Sequence, residues 1–220
     1  GGALLVDKSK NHKENFSRWW QEEFKTVKFP PDVNVFDVMV DEKNNTLVPW
    51  TYEDYVHLPG EPINNLYVDV PETARLTYLF NLLVKNHHGV MYVGNAGTGK
   101  TVCMQNNIKR LDEDEYVYTF MNLNSQTDSL TLQTIMEGLL EKKAGILFGP
   151  PGNKHIIYYI DDLNMPALET YFAQPPNELL RQLIDQGGFY DTTKLFFKFV
   201  KDLIFASACA PPGGGRNEVS

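Results

Sequence analysis

Apolar residues in the segment 13–27, KENFSRWWQEEFKTV, fall at Phe16, Trp19, Trp20, Phe24 and Val27. That spacing of i, i+3, i+4, i+8 and i+11 predicts a helix with one apolar face, which either packs on its own domain or docks on a neighbouring module. After the break at Pro30-Pro31, VNVFDVMVD and TLVPW alternate like two half-buried strands around an acidic, Asn-rich turn at Asp41 to Asn45. They predict a small β-hairpin. Thr51 to Asn65 reads as a surface connection, so the chain divides into an extension over residues 1–65 and a core domain over 66–220.

From Leu66 the pattern alternates between strands and helices, as in a parallel sheet covered on both faces. LYVDV predicts a short strand, Glu72 to Asn86 a helix, and GVMYV at 89–93 a buried strand that delivers a glycine-rich loop. A helix is expected from Lys100 to about Arg110, a strand at 116–123, a helix over Leu130 to Lys142, a Gly/Pro-rich turn at Gly145 to Asn153, and a doubly buried strand at 155–160. Pro176 to Gln186 reads as a helix opened by proline and stopped by Gly187-Gly188. Phe189 to Val200 suggests a hairpin, and LIFASA at 203–208 a further apolar strand.

Composition narrows the classes. With 28 acidic against 20 basic residues, a net charge of −8 leaves no broad basic footprint for nucleic acid, so an anionic ligand must be held locally. Cys103 and Cys209, far apart and each in apolar context, argue for packing roles in a reducing compartment. No apolar run reaches membrane-helix length and no signal segment opens the chain, so an intracellular, soluble protein is expected, without a membrane partner.

GNAGTGKT, Gly94 to Thr101, fits the G-x-x-x-x-G-K-[ST] phosphate loop, a string that arises by chance in roughly one chain per hundred of this length. The loop follows a strand and opens a helix, so the backbone of Gly94, Asn95, Ala96, Gly97, Thr98 and Gly99 can wrap phosphate oxygens. Lys100 would bridge phosphates, and Thr101 would ligate Mg2+. In HIIYYIDD, Asp161 is the candidate second magnesium-side residue, and Asp162 the candidate that orients or deprotonates water. Either acid could instead cap the turn that follows. Glu178 with Arg181, at i, i+3, reads as an ion pair on a helix face.

GNAGTGKT, IDDLNMP, YFAQPPNELLRQ, GGFYD and APPGGGRN together resemble the third AAA+ module of the motor ring in axonemal dynein heavy chains. The likeness covers most of the chain, including the Trp-rich helix and VPW. It implies a P-loop NTPase fold, a three-layer α/β/α arrangement with a mainly parallel sheet and β-hairpin inserts, expected to end before the last core strand and the helical lid. It also implies ATP or ADP with Mg2+ as ligands, and a regulatory module that gates a microtubule motor whose first module does the driving. The expected place is the cytoskeleton of a cilium or flagellum, in its axoneme. Neighbouring AAA+ modules, dynein intermediate and light chains and microtubules are the implied partners.

By position, Val102 continues the phosphate loop, and Val68 and Val70 lie in a strip resembling the adenine contact. Asn122 resembles a polar relay, with a plain strand-end cap as the alternative. Arg216 is either a loop arginine in solvent or a finger acting on a neighbour. Two departures from the family pattern bear on turnover: Asp162 replaces the usual Glu and is one methylene shorter, and Ala210 stands where a polar γ-phosphate sensor is common. The expected function is a slowly hydrolysing regulatory module, with a nucleotide-holding structural module or a free-standing ATPase or chaperone as the alternatives.

Overall fold

A computed structural model describes residues 9–41, 43–52, 55 and 67–219, and the chain separates into two compact units, Gly1–Leu76 and Thr77–Ser220. Leu66 and most of the connection at 51–65 lie outside the described residues.

In the first unit, α1 (His12–Glu23) starts where Asn11 accepts the Glu14 N–H at 3.2 Å and donates to the Glu14 carboxylate at 3.2 Å, a reciprocal cap. The helix stops at Phe24, short of the predicted Val27, because the chain turns there and Phe24 folds back on Trp20, ring centroids 4.6 Å apart. Phe16 reaches Phe36 and Trp20 reaches Phe29, so part of the apolar face is used inside this unit, while Trp19 stays half exposed. Buried Ser17 accepts the Val35 N–H at 3.0 Å and fixes the helix to the segment before the hairpin. That hairpin is β1 (Val38–Asp41) antiparallel to β2 (Thr46–Pro49), closed by a turn with Asn45 at φ 51.

Tyr67–Val70 is not a strand. The Val70 N–H is taken by the Thr73 hydroxyl and the Val70 carbonyl accepts the Ala74 N–H, so Val70 serves as the entry to α2 (Pro71–Lys85) and has no ladder groups to share.

The second unit is a parallel four-stranded sheet, in the order β3 (Val90–Val93), β10 (Leu203–Cys209), β7 (His155–Asp161), β4 (Tyr116–Asn122). β7 alternates cleanly. Ile156, Tyr158 and Ile160 meet Leu132, Met136, Leu180 and Leu183 on one face; Ile157 and Tyr159 meet Phe80, Val84, Met104 and Ile108 on the other. Those partners belong to α4 (Ser129–Glu137) and α5 (Pro175–Gln186) on the first face, and to α2 and α3 (Lys100–Lys109) on the second, giving three layers. Burial on both faces explains why HIIYYI reads as one continuous apolar run.

A second sheet, in the order β5 (Glu141–Ala144), β6 (Leu147–Gly149), β9 (Phe197–Val200), β8 (Gly188–Tyr190), holds the inserts. β5 and β6 replace the end of the predicted helix over Leu130 to Lys142 and part of the predicted turn after it. Gly138 caps α4, and Glu141–Ala144 then pairs with Leu147–Gly149 as an antiparallel ribbon.

Candidate functional site

The phosphate loop joins β3 to α3 at the same end of the sheet where β7 and β10 finish. Its root is anchored by the Gly94 N–H donating to the Cys209 carbonyl at 3.2 Å. Gly97 (φ 79) and Gly99 (φ 78) are left-handed, and a Cβ on either would meet no atom within 4 Å. Glycine is required here by backbone conformation, and the space beside it is open to a ligand. α3 begins without a side-chain cap, so the first N–H groups of the helix are left for acceptors from outside the chain. Lys100 Nζ donates to the Asn95 carbonyl at 2.8 Å, folding its charge over the loop. Asn95, Ala96, Thr98 and Val102 are exposed, and Thr98 ties the loop by donating to the Asn95 carbonyl at 2.9 Å.

Asp161 closes β7 and is buried, its Oδ1 accepting the Asp162 N–H at 2.9 Å. Asp162 is left-handed (φ 51), a conformation that Asp tolerates better than most residues, and it turns the chain sharply out of the strand. Tyr159, two residues before Asp161 on the same face, is fully buried; its hydroxyl makes no aligned hydrogen bond, and its polar neighbours are Thr101 and Asp161. Burial first, then the Asp161 charge, pushes the Tyr159 phenol well above its ordinary range. A buried hydroxyl between those two side chains fits a hydrated divalent cation, whose water would satisfy it. Among the described residues no group of three His, Cys, Asp or Glu could hold a metal, so the cation would depend on Thr101, Asp161 and the nucleotide itself.

Cys209 shares this corner: burial raises its thiol pKa, with Lys100 acting against that rise and Asp162 adding to it. Cys103 is buried in α3. Asn122 ends β4 in register with Asp161 and is exposed. Ala210 is buried, its carbonyl taken by Asn164 Nδ2 at 2.7 Å. Val68 and Val70 belong to the first unit and are partly exposed. Glu178 and Arg181 form the expected ion pair on α5.

Two features were not legible as a site beforehand. Arg216 is bonded within the chain, its Nη2 lying 3.3 Å from Asp162 Oδ1. The buried Asn164 also donates to the Asn217 carbonyl at 3.1 Å, and Asn217 donates back, N–H to the Asn164 carbonyl at 3.0 Å and Nδ2 to the Pro166 carbonyl at 2.9 Å. IDDLNMP and GGGRN held the signal as recurrent polar residues in two loops, but pairing across 54 residues has no local signature.

The family model described as "P-loop containing dynein motor region" matches residues 55–220, and the one described as "Dynein heavy chain AAA lid domain" matches residues 1–52. The dynein beta chain of the flagellar outer arm from Chlamydomonas reinhardtii is 41% identical over 99% of this chain. Human dynein axonemal heavy chain 9 is 38% identical over 97% of it, and human dynein axonemal heavy chain 6 is 37% identical over all of it. The chain spans about 5% of the length of each of these relatives. On the family match over residues 55–220, with a strand–phosphate-loop–helix at its centre, the chain belongs to the P-loop-containing motor region of axonemal dynein heavy chains.

Proposed function

We propose that this chain binds ATP and hydrolyses it slowly, as the third AAA+ module of the motor ring in an axonemal dynein heavy chain. Residues 1–65 are its N-terminal extension and 66–220 its large P-loop subdomain. In the parent polypeptide it regulates an ATP-driven microtubule motor of the cilium or flagellum, in contact with neighbouring AAA+ modules; intermediate and light chains and microtubules are partners of the whole. The observation that carries this reading is the gathering of Lys100, Thr101, Asp161 and Asp162 at one end of one parallel sheet.

In this reading the backbone of Gly94 to Gly99 holds phosphate oxygens, Lys100 exchanges the Asn95 carbonyl for phosphate, Val102 continues the phosphate loop, and Val68 and Val70 belong to the adenine strip. Thr101 and Asp161 would hold magnesium together with the nucleotide, and the ion would supply neutralisation of phosphate charge. Asp162 orients the attacking water. A second reading, nucleotide held as a structural ligand without turnover, is favoured by Ala210, which brings no polar side chain to the end of β10.

Calorimetric titration of the nucleotide-free chain with Mg-ATP and Mg-ADP is the test. Saturable binding that Lys100→Ala weakens by on the order of a hundredfold supports the reading. A folded, nucleotide-free chain that binds neither nucleotide overturns it. Asp162→Asn is expected to keep binding within about twofold and to remove single-turnover hydrolysis. Hydrolysis by Asp162→Asn at the parent rate rules out Asp162 as the base.

A further inference from the structure

The contact between Arg216 and Asp162 is built by its surroundings. The loop after β10 carries Gly213, Gly214 and Gly215, all at positive φ, and closes on itself through a bridge in which Gly213 and Arg216 exchange backbone N–H and carbonyl groups at 3.0 and 3.1 Å. Asn164 and Asn217 then bind this loop to the one that follows Asp162, through the Ala210, Asn217, Asn164 and Pro166 carbonyls. Arg216 is delivered to Asp162 by a hydrogen-bonded two-loop frame. The Asp162 side chain is 44% exposed and that of Arg216 28% exposed, so water screens the pair and its net contribution to stability is small. A frame of four side-chain and backbone bonds around a weak ion pair is better explained by geometry than by stability.

Asp162 needs such help. It is one methylene shorter than Glu, its backbone is pinned in a left-handed turn, and the carboxylate has one oxygen facing Arg216. A guanidinium holding that oxygen fixes the side-chain rotamer and leaves the other oxygen free to accept from water. Arg216 Nε is itself buried without a hydrogen-bond partner, so it is the Nη2 bond to Asp162, together with the loop that carries the residue, that holds the guanidinium at the site.

We propose that Arg216 is the positioning residue for Asp162, supplying from the chain's own loop the polar control that Ala210 lacks. This rests on Asp162 being the water-orienting base. The test uses the folded 220-residue chain with Arg216→Ala, Arg216→Lys and Asp162→Asn. In the nucleotide-free state, the Hα–Hβ couplings of Asp162 are expected to report one χ1 rotamer in the parent, averaging in Arg216→Ala, and restoration in Arg216→Lys. Mg-ATP affinity is expected to stay within about twofold in Arg216→Ala, while single-turnover hydrolysis falls by roughly tenfold, with partial rescue by Lys.

Unchanged Asp162 couplings in Arg216→Ala overturn the proposal, as does faster hydrolysis, which would make the contact a restraint. A loss of nucleotide affinity comparable to that of Lys100→Ala also overturns it, because Arg216 would then bind phosphate directly. If Asp162→Asn hydrolyses like the parent, the base assignment fails even where the rotamer result stands, and the two failures are told apart.

Discussion

Gly97 and Gly99 separate two reasons for a glycine. At Gly94 an added Cβ would lie 3.3 Å from the Thr98 hydroxyl and 3.6 Å from Lys100 Cδ, so the protein itself crowds that position. At Gly97 it would meet nothing, and the only intrinsic penalty is positive φ, on the order of 1 kcal/mol for Ala. Gly97→Ala is therefore expected to lower the stability of the nucleotide-free chain by about that amount while weakening Mg-ATP binding by about tenfold or more. Equal small losses in both, measured by denaturant melts and calorimetry, would mean that phosphate does not approach the loop at Gly97. The loop was readable because its residues are contiguous and each acts through its own backbone. Asp161 and Asp162 were readable because they end an apolar strand. The Arg216–Asp162 contact and the Tyr159 hydroxyl beside Thr101 were not, because each depends on loop closure or on which face of a strand meets which helix.

Elements buried on both faces or marked at both ends announced themselves, and those that depend on a partner did not. β7 and α5 were legible because a doubly buried strand is apolar throughout and a helix between proline and glycine has marked ends. β5, sequence EKKA, has no apolar alternation, and the Leu139-Leu140 pair before it extends the apolar spacing of α4 past its true end. β5 is a strand because β6 offers it a ladder, and β6 in turn leans on β9. The same inter-strand closeness makes Gly188 a firm test. A Cβ there would lie 2.1 Å from the Lys198 carbonyl oxygen and 2.7 Å from a Phe197 ring carbon, across the β8–β9 pair. A backbone oxygen cannot swing aside, so Gly188→Ala is expected to destabilise the fold by about 3 kcal/mol. An urea midpoint within the error of the parent would show that this ribbon is loosely paired.

Apart from the phosphate loop, the second unit holds a cluster of paired charges that is largely withdrawn from solvent. Lys198, on β9, is buried with its ammonium 2.7 Å from Asp191 and 3.0 Å from Glu137 of α4, and 5.3 Å from the centre of the Phe148 ring. Burial pulls the Lys198 pKa down, but its hydrogen bonds to Asp191 and Glu137 outweigh that and hold it above the ordinary lysine value. Gln133 completes the tie, bonding both Glu137 and the Tyr190 carbonyl at 2.7 Å. Helix α4 of the central layers is thereby joined to the insert sheet by ionised groups, and this joint has a defined pH range. The hydrogen bond from Lys198, followed by the N–H groups of Lys194 and Thr193, lowers Asp191 from 3.8 to about 2. A carboxyl depressed in the folded state stabilises it fully above its unfolded pKa, and the contribution is lost as pH falls through the folded value. The stabilisation from Asp191 is therefore complete above about pH 4 and disappears towards pH 2, where Lys198 keeps its proton but loses this anionic partner. Asp191→Asn is expected to melt at lower temperature than the parent at pH 7, with the gap closing between pH 4 and pH 2. A gap independent of pH over that window would mean that the stabilisation does not come from the Asp191 charge.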